Sequence, residues 1–158
     1  MRTLEYERGA RGGQAGGYVM TESDIGDLLD LAQRARRGGK PAIEDPMIQD
    51  ELVKFLMEYR ALRLSVKRNA IAPLNQDRPF SISLISKLMG SEFFRRANEF
   101  SLSMQGAQAG YYVGEPDAYD RGVWQRGYLN AFSATIGGGT SQIQRNIIGE
   151  HVLGLPKS

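Results

Sequence analysis

The 158-residue sequence has no cysteine and a single histidine. These absences exclude a disulfide, a zinc–thiolate site and a thiol nucleophile. His151 has no second histidine to join it at a metal, so no metal site is expected, and we read it as a surface residue at a helix C-terminus. No apolar run approaches the roughly 20 residues that a membrane span needs. The opening Met1-Arg-Thr-Leu-Glu-Tyr-Glu lacks the apolar core of a signal peptide, and the cytoplasm is the expected compartment. Charge of one sign is also missing, since 20 basic and 18 acidic residues leave only +2. Basic residues cluster at Arg34, Arg36, Arg37 and Lys40 and at Arg95-Arg96, without forming a long tract. We read these as solvated helix faces or ends, and nucleic acid is not an expected partner. No segment alternates polar and apolar residues with the period of two that marks strands.

Helical periodicity is present instead. Residues 9–17 are glycine-rich and read as a loop or a weak helix. Ser23 or Asp24 offers a cap, followed by Ile25, Leu28, Leu29, Ala32 and Ala35 at helical spacing, with a stop predicted at Gly38-Gly39. Asp45 caps the next helix and Pro46 suits its first turn. Its core-facing stripe is Ile48, Leu52, Phe55, Tyr59, Leu62 and Val66. Pro73 and the polar stretch to Pro79 end it. A third helix opens at Ser81 or Ser83 and carries Ile85, Met89, Phe93, Ala97, Phe100 and Met104. Residues 110–121 read as a loop. A fourth helix places Trp124, Tyr128, Phe132 and Thr135 on one face, and a last one holds Ile143, Ile147 and Ile148 before Gly154 and Pro156. The implied fold is all-α: an up-and-down four-helix bundle with a short extra C-terminal helix, one domain over 1–158.

The chemistry-bearing motif is Gly137-Gly-Gly-Thr-Ser-Gln142. Thr140 is placed to cap a helix beginning near Ser141. A helix start presents unpaired N–H groups and partial positive charge, and the preceding glycines allow close approach of another backbone or a phosphate. The motif has no Walker lysine and no preceding strand, so a plain inter-helix turn and an anion site both remain open.

The string from Gly138 through Arg145-Asn-Ile-Ile-Gly-Glu150 to Val152-Leu-Gly-Leu-Pro156 resembles the C-terminal ending of the acyl-CoA dehydrogenase family. Gly39-Lys-Pro41, Asp45-Pro46, Ser86-Lys-Leu-Met-Gly-Ser-Glu92 and Thr3-Leu-Glu-Tyr-Glu-Arg-Gly9 are similar to further family segments, so the resemblance runs through the chain. It implies the helical C-terminal bundle of such an enzyme, without the N-terminal helical domain and the middle β-domain. The ending at Pro156-Lys-Ser158 is expected to be natural, and a truncation is expected at the N-terminal side, inside the first bundle helix. The implied activity is α,β-dehydrogenation of an acyl-CoA thioester, as in fatty-acid β-oxidation. FAD is the implied cofactor, an electron-transfer flavoprotein the implied acceptor, and a homo- or hetero-oligomer the implied assembly. A non-catalytic helical subunit of a hetero-oligomeric dehydrogenase is the alternative.

The resemblance also assigns residues. Many family members carry a catalytic glutamate two residues before the threonine, but here that position is Gly138. Other branches place the base in a Glu-Arg pair on the first bundle helix, which Glu7-Arg8 matches. Glu7 is therefore the candidate base, with Glu5 as the neighbouring alternative. The family's Gly-Thr-Ser-Gln turn reaches the adenine-nucleotide half of FAD on a neighbouring subunit, which implicates Gly139, Thr140 and Gln142. Two flavin-associated positions depart from the pattern. Ser103 and Gly106-Ala107 stand where the family often has a glutamine and a Gly-Gly pair, with Gln105 out of step. Gly38 replaces the aromatic residue of the usual Arg-x-x-Phe-Gly-Lys junction.

Overall fold

The computed structural model describes residues 22–69, 71 and 81–157. Among the described residues there are five α-helices: α1 (Glu22–Arg34), α2 (Pro46–Asn69), α3 (Ser81–Gln105), α4 (Val123–Ile136) and α5 (Ser141–Ile147). The predicted all-α bundle is what forms, with α3 packed against α1, α2 and α4.

Local chemistry sets the boundaries. Asp45 caps α2 as predicted, its Oδ1 accepting from Met47 N–H at 2.9 Å, with Pro46 as the first helical residue. Ser23 and Asp24 lie inside α1 and not ahead of it. The helix also ends earlier than the glycine pair implied, at Arg34. Residues 36–41 instead form a two-residue antiparallel ladder, β1 (Arg36–Arg37) with β2 (Lys40–Pro41), pairing Arg36 with Pro41 and Arg37 with Lys40. Gly38 and Gly39 both take positive φ, 57° and 82°, which is the tight-hairpin conformation that glycine permits.

The core lies between α1, α2 and one side of α3. Ile48, Leu52, Phe55, Tyr59 and Leu62 of the predicted α2 stripe are buried, whereas Val66 is exposed. Phe55 meets Phe93 edge-on at 5.6 Å and Phe100 at 5.2 Å. Arg96 on α3 pairs with Glu58 on α2 at the rim. In α3, Phe93, Ala97 and Met104 are buried, but Ile85 and Met89 stand exposed.

The α3–α4 contact differs from the predicted pattern. The buried face of α4 is Gln125, Ala131 and Ala134, while Trp124 and Tyr128 are half-buried and Phe132 is 42% exposed. Opposite it α3 presents Ser91, Asn98, Ser101 and Gln105, all buried. Gln125 Nε2 donates to Gln105 Oε1 at 3.1 Å and to Gln108 O at 3.2 Å. At Gly127 an added Cβ would stand 2.2 Å from Asn98 Oδ1, so the helices approach where there is no side chain. Small and amide-bearing residues, not the aromatic stripe, make this seam.

Candidate functional site

The three glycines and Thr140 form a stapled turn between α4 and α5. Gly137 N–H closes α4 on Ser133 O at 2.8 Å. Gly138 and Gly139 then adopt positive φ, 67° and 103°, a region that side chains disfavour. Thr140 is extended, and its hydroxyl accepts from Ile143 N–H at 3.3 Å, so the predicted cap is present. The sequence stripe of the last helix is only partly its packing face: Ile143 is exposed and Ile147 and Ile148 are half-buried, whereas Ser141 and Gln144 are buried.

Polar side chains hold the turn from beneath. Lys87, only 7% exposed, donates from Nζ to Gly139 O at 2.6 Å across 52 residues of sequence. Gln144 donates from Nε2 to Gly138 O at 2.8 Å, while its buried Oε1 meets no donor. Ser141 Oγ donates to Glu92. The Ser141 hydroxyl, followed by the charges of Arg95 and Arg145, holds the Glu92 carboxyl below its ordinary pKa against the opposing effect of burial. None of Lys87, Glu92 or Gln144 stood out as functional in the sequence. Lys87 and Glu92 do lie within the stretch similar to the family, and Gln144 within its ending, but only the fold brings them to the turn.

The structure brings Gly139, Thr140 and Gln142 together at one helix start. Gly139 and Thr140 are half-buried and Gln142 is exposed. The Thr140 N–H has no acceptor among the described residues. Glu7 and Glu5 lie outside the described residues. Gly138 has room for a Cβ, 3.8 Å from Lys87 Cε, but its φ of 67° strains any side chain there. Ser103 is exposed and donates to Phe100 O. Gln105 is buried in the amide seam, donating to Ser101 O and accepting from Gln125. With Gly38 in the aromatic position of the Arg-x-x-Phe-Gly-Lys junction, its arginine falls on Ala35, which is fully buried. His151 is exposed at the end of the last helical turn, as expected. No group of three or more potential metal-ligating side chains occurs among the described residues.

A separate cavity of about 470 Å³ lies between α1, α3 and α4, lined by Asp27, Asp30, Arg34, Phe94, Asn98 and Trp124 among others. Arg34 bridges Asp30 at 2.7 Å and Asp120 at 3.0 Å, and the Trp124 indole N–H donates to Asp120 at 2.7 Å. Burial raises the Asp120 pKa, but these two donors outweigh it and leave the carboxyl below its ordinary value. The cluster ties the 119–122 segment to α1 and lies apart from the glycine turn.

A helical bundle whose last long helix passes through a capped glycine turn into a short terminal helix defines the class of domain. The family model described as "Acyl-CoA dehydrogenase, C-terminal domain" matches residues 1–153, and the chain belongs to that family. It is 36% identical over 157 residues to "Acyl-CoA dehydrogenase IpdE1" of Mycolicibacterium smegmatis, which covers 99% of this chain and 36% of that protein. Among solved structures, the ChsE4-ChsE5 complex from Mycobacterium tuberculosis aligns at a TM-score of 0.70 and 27% identity, covering 85% of this chain and 34% of that one. A steroid ACAD, Tcur3481-Tcur3483, has the same fold at a TM-score of 0.71 and 22% identity over 85% of this chain and 35% of that one. The chain thus spans about a third of the length of the curated relatives it matches. No helix among the described residues is long and apolar enough to cross a membrane.

Proposed function

We propose that this chain is the helical domain, 1–158, of an FAD-dependent acyl-CoA dehydrogenase that introduces an α,β double bond into an acyl-CoA thioester. The observation supporting this best is the family match through residue 153, ending in a glycine turn that keeps its cap and displays a backbone N–H. FAD, when bound, supplies the hydride acceptor. The turn fits the adenine-nucleotide end of that cofactor: Gly138 and Gly139 take positive φ and carry no side chain, and the Thr140 N–H meets no acceptor among the described residues. Gly139, Thr140 and Gln142 would hold it, on a neighbouring subunit. Glu7 is the proposed base, its carboxylate taking the α-proton of the thioester while Arg8 stands beside it in sequence. An electron-transfer flavoprotein is the proposed electron acceptor, and the cytoplasm the proposed compartment.

Ala35 and Gly38 at the hairpin, and Gln105 turned into the seam, favour a second reading. In it the chain is a non-catalytic helical subunit of a hetero-oligomeric dehydrogenase. One preparation separates the two. The assembly containing this chain should carry stoichiometric flavin in its visible spectrum and oxidise an acyl-CoA. Glu7→Gln should retain the flavin and lose turnover by roughly 100-fold or more. Undiminished turnover in Glu7→Gln sinks the base assignment, and a flavin held entirely by other subunits supports the second reading.

A further inference from the structure

We infer that Lys87 is a positioning residue for the glycine turn, acting with Gln144 to aim the Thr140 N–H outward. The inference rests on the reading of this turn as a cofactor contact and adds the residues that orient it. All described peptide bonds are trans, so a carbonyl and the N–H of the next residue point in opposite directions. Lys87 holds the Gly139 carbonyl inward at 2.6 Å, which turns the Thr140 N–H away from the protein. Gln144 does the same to the Gly138 carbonyl, and the Gly139 N–H that this turns over is used within the turn, on Ile136 O at 3.2 Å. Ser141, tied to Glu92, fixes the start of α5 to α3. Two consecutive glycines at positive φ would otherwise leave these peptide planes free to rotate. The tether comes from α3, 52 residues earlier, so α3 sets the orientation of a turn to which it is not adjacent in sequence. In this role Lys87 acts through the Gly139 carbonyl and is not a catalytic residue.

The test compares Lys87→Met, Lys87→Arg and the exposed control Lys54→Met in the complete assembly that contains this chain. Two readouts are taken: amide hydrogen exchange across residues 137–144 and the FAD dissociation constant. Lys87→Met should speed exchange in that segment by roughly tenfold or more while α1 and α2 stay protected. It should also weaken FAD roughly 10- to 100-fold, the worth of a hydrogen bond to a charged donor, without shifting the absorption of the bound isoalloxazine. Lys87→Arg should recover part of both effects, and Lys54→Met should change neither. Unchanged exchange at 137–144 in Lys87→Met overturns the inference whatever happens to flavin. Should the wild-type assembly hold no FAD while Lys87→Met still loosens the turn, the cofactor reading falls and the positioning role stands. Should Lys87→Met fail to fold, Gln144→Leu carries the test: faster exchange confined to the turn supports the role, and faster exchange throughout the bundle overturns it.

Discussion

At the scale of single residues, backbone conformation constrains this chain as tightly as burial does. Asp120 and Arg121 have φ of 51° and 53°, and Gly122 follows at 77°. The first two are left-handed without being glycine, and such residues cost of order 1 kcal/mol or more each. Hydrogen bonds from Arg34 and Trp124 to Asp120, and from Gly114 N–H to Arg121 O, hold the segment in place. Gly122 admits no substitute, because an added Cβ would stand 2.6 Å from the Val113 Cα. Gly122→Ala should therefore lower stability by about 2–4 kcal/mol, read as a shift in the urea midpoint with the slope unchanged. A loss below about 0.5 kcal/mol would mean that the 113–122 turn gives way freely. Glu7, the proposed base, lies outside the described residues and rests on its resemblance to the family's Glu-Arg pair alone, since a solvated glutamate and a catalytic base look alike in a sequence.

At the scale of elements, α5 shows how a weak local pattern is completed by its neighbours. Its seven residues are too few to be stable alone. Thr140 supplies the cap, and Ser141 and Gln144 supply buried polar contacts that replace an apolar face. One of these contacts depends on charge. The folded-state pKa of Glu92 lies below its ordinary value of 4.5, so its stabilising contribution is complete above that value. It is lost as the pH falls through the lower folded pKa. Thermal melts taken from pH 7 downward should show a loss that begins below about 4.5, and Glu92→Gln should flatten that part of the profile. A variant with an unaltered acid limb would show that the Ser141 contact adds nothing. The cap was readable from Thr140 and the glycines because both signals are local. The Lys87 tether was not, because no spacing rule connects residues 52 apart.

At the scale of the whole molecule, the bundle leaves large apolar side chains uncovered. Leu129 and Ile136 of α4 are 61% and 64% exposed, joined by Ile143, Leu153 and Leu155 nearer the C-terminus. Scattered exposed apolar residues are ordinary, but these come from consecutive elements of a chain that spans about a third of its relatives' length. The expected outcome is association, with further copies or with the remainder of the enzyme. Light scattering at rising concentration should give a mass above that of one chain. A strictly monomeric mass would count against the oligomer proposal.

The sequence by itself determined the all-α class, most of the α2 stripe, the caps at Asp45 and Thr140, and the glycine turn between α4 and α5. These depend on 3.6-residue periodicity and on contacts within a few residues, which a linear reading contains. Only the tertiary structure decided which face of α3 and of α4 is buried. There, Ser91, Asn98 and Ser101 donate to carbonyls of their own helix and Gln125 donates across the contact to Gln105, so amide and hydroxyl groups enter the interior while Ile85, Met89 and Phe132 stay outside. Apolar spacing shows which residues can leave water, but not which polar groups will find partners once the helices meet. The same limit hid Lys87, since burying an ammonium requires acceptors that only the folded chain supplies.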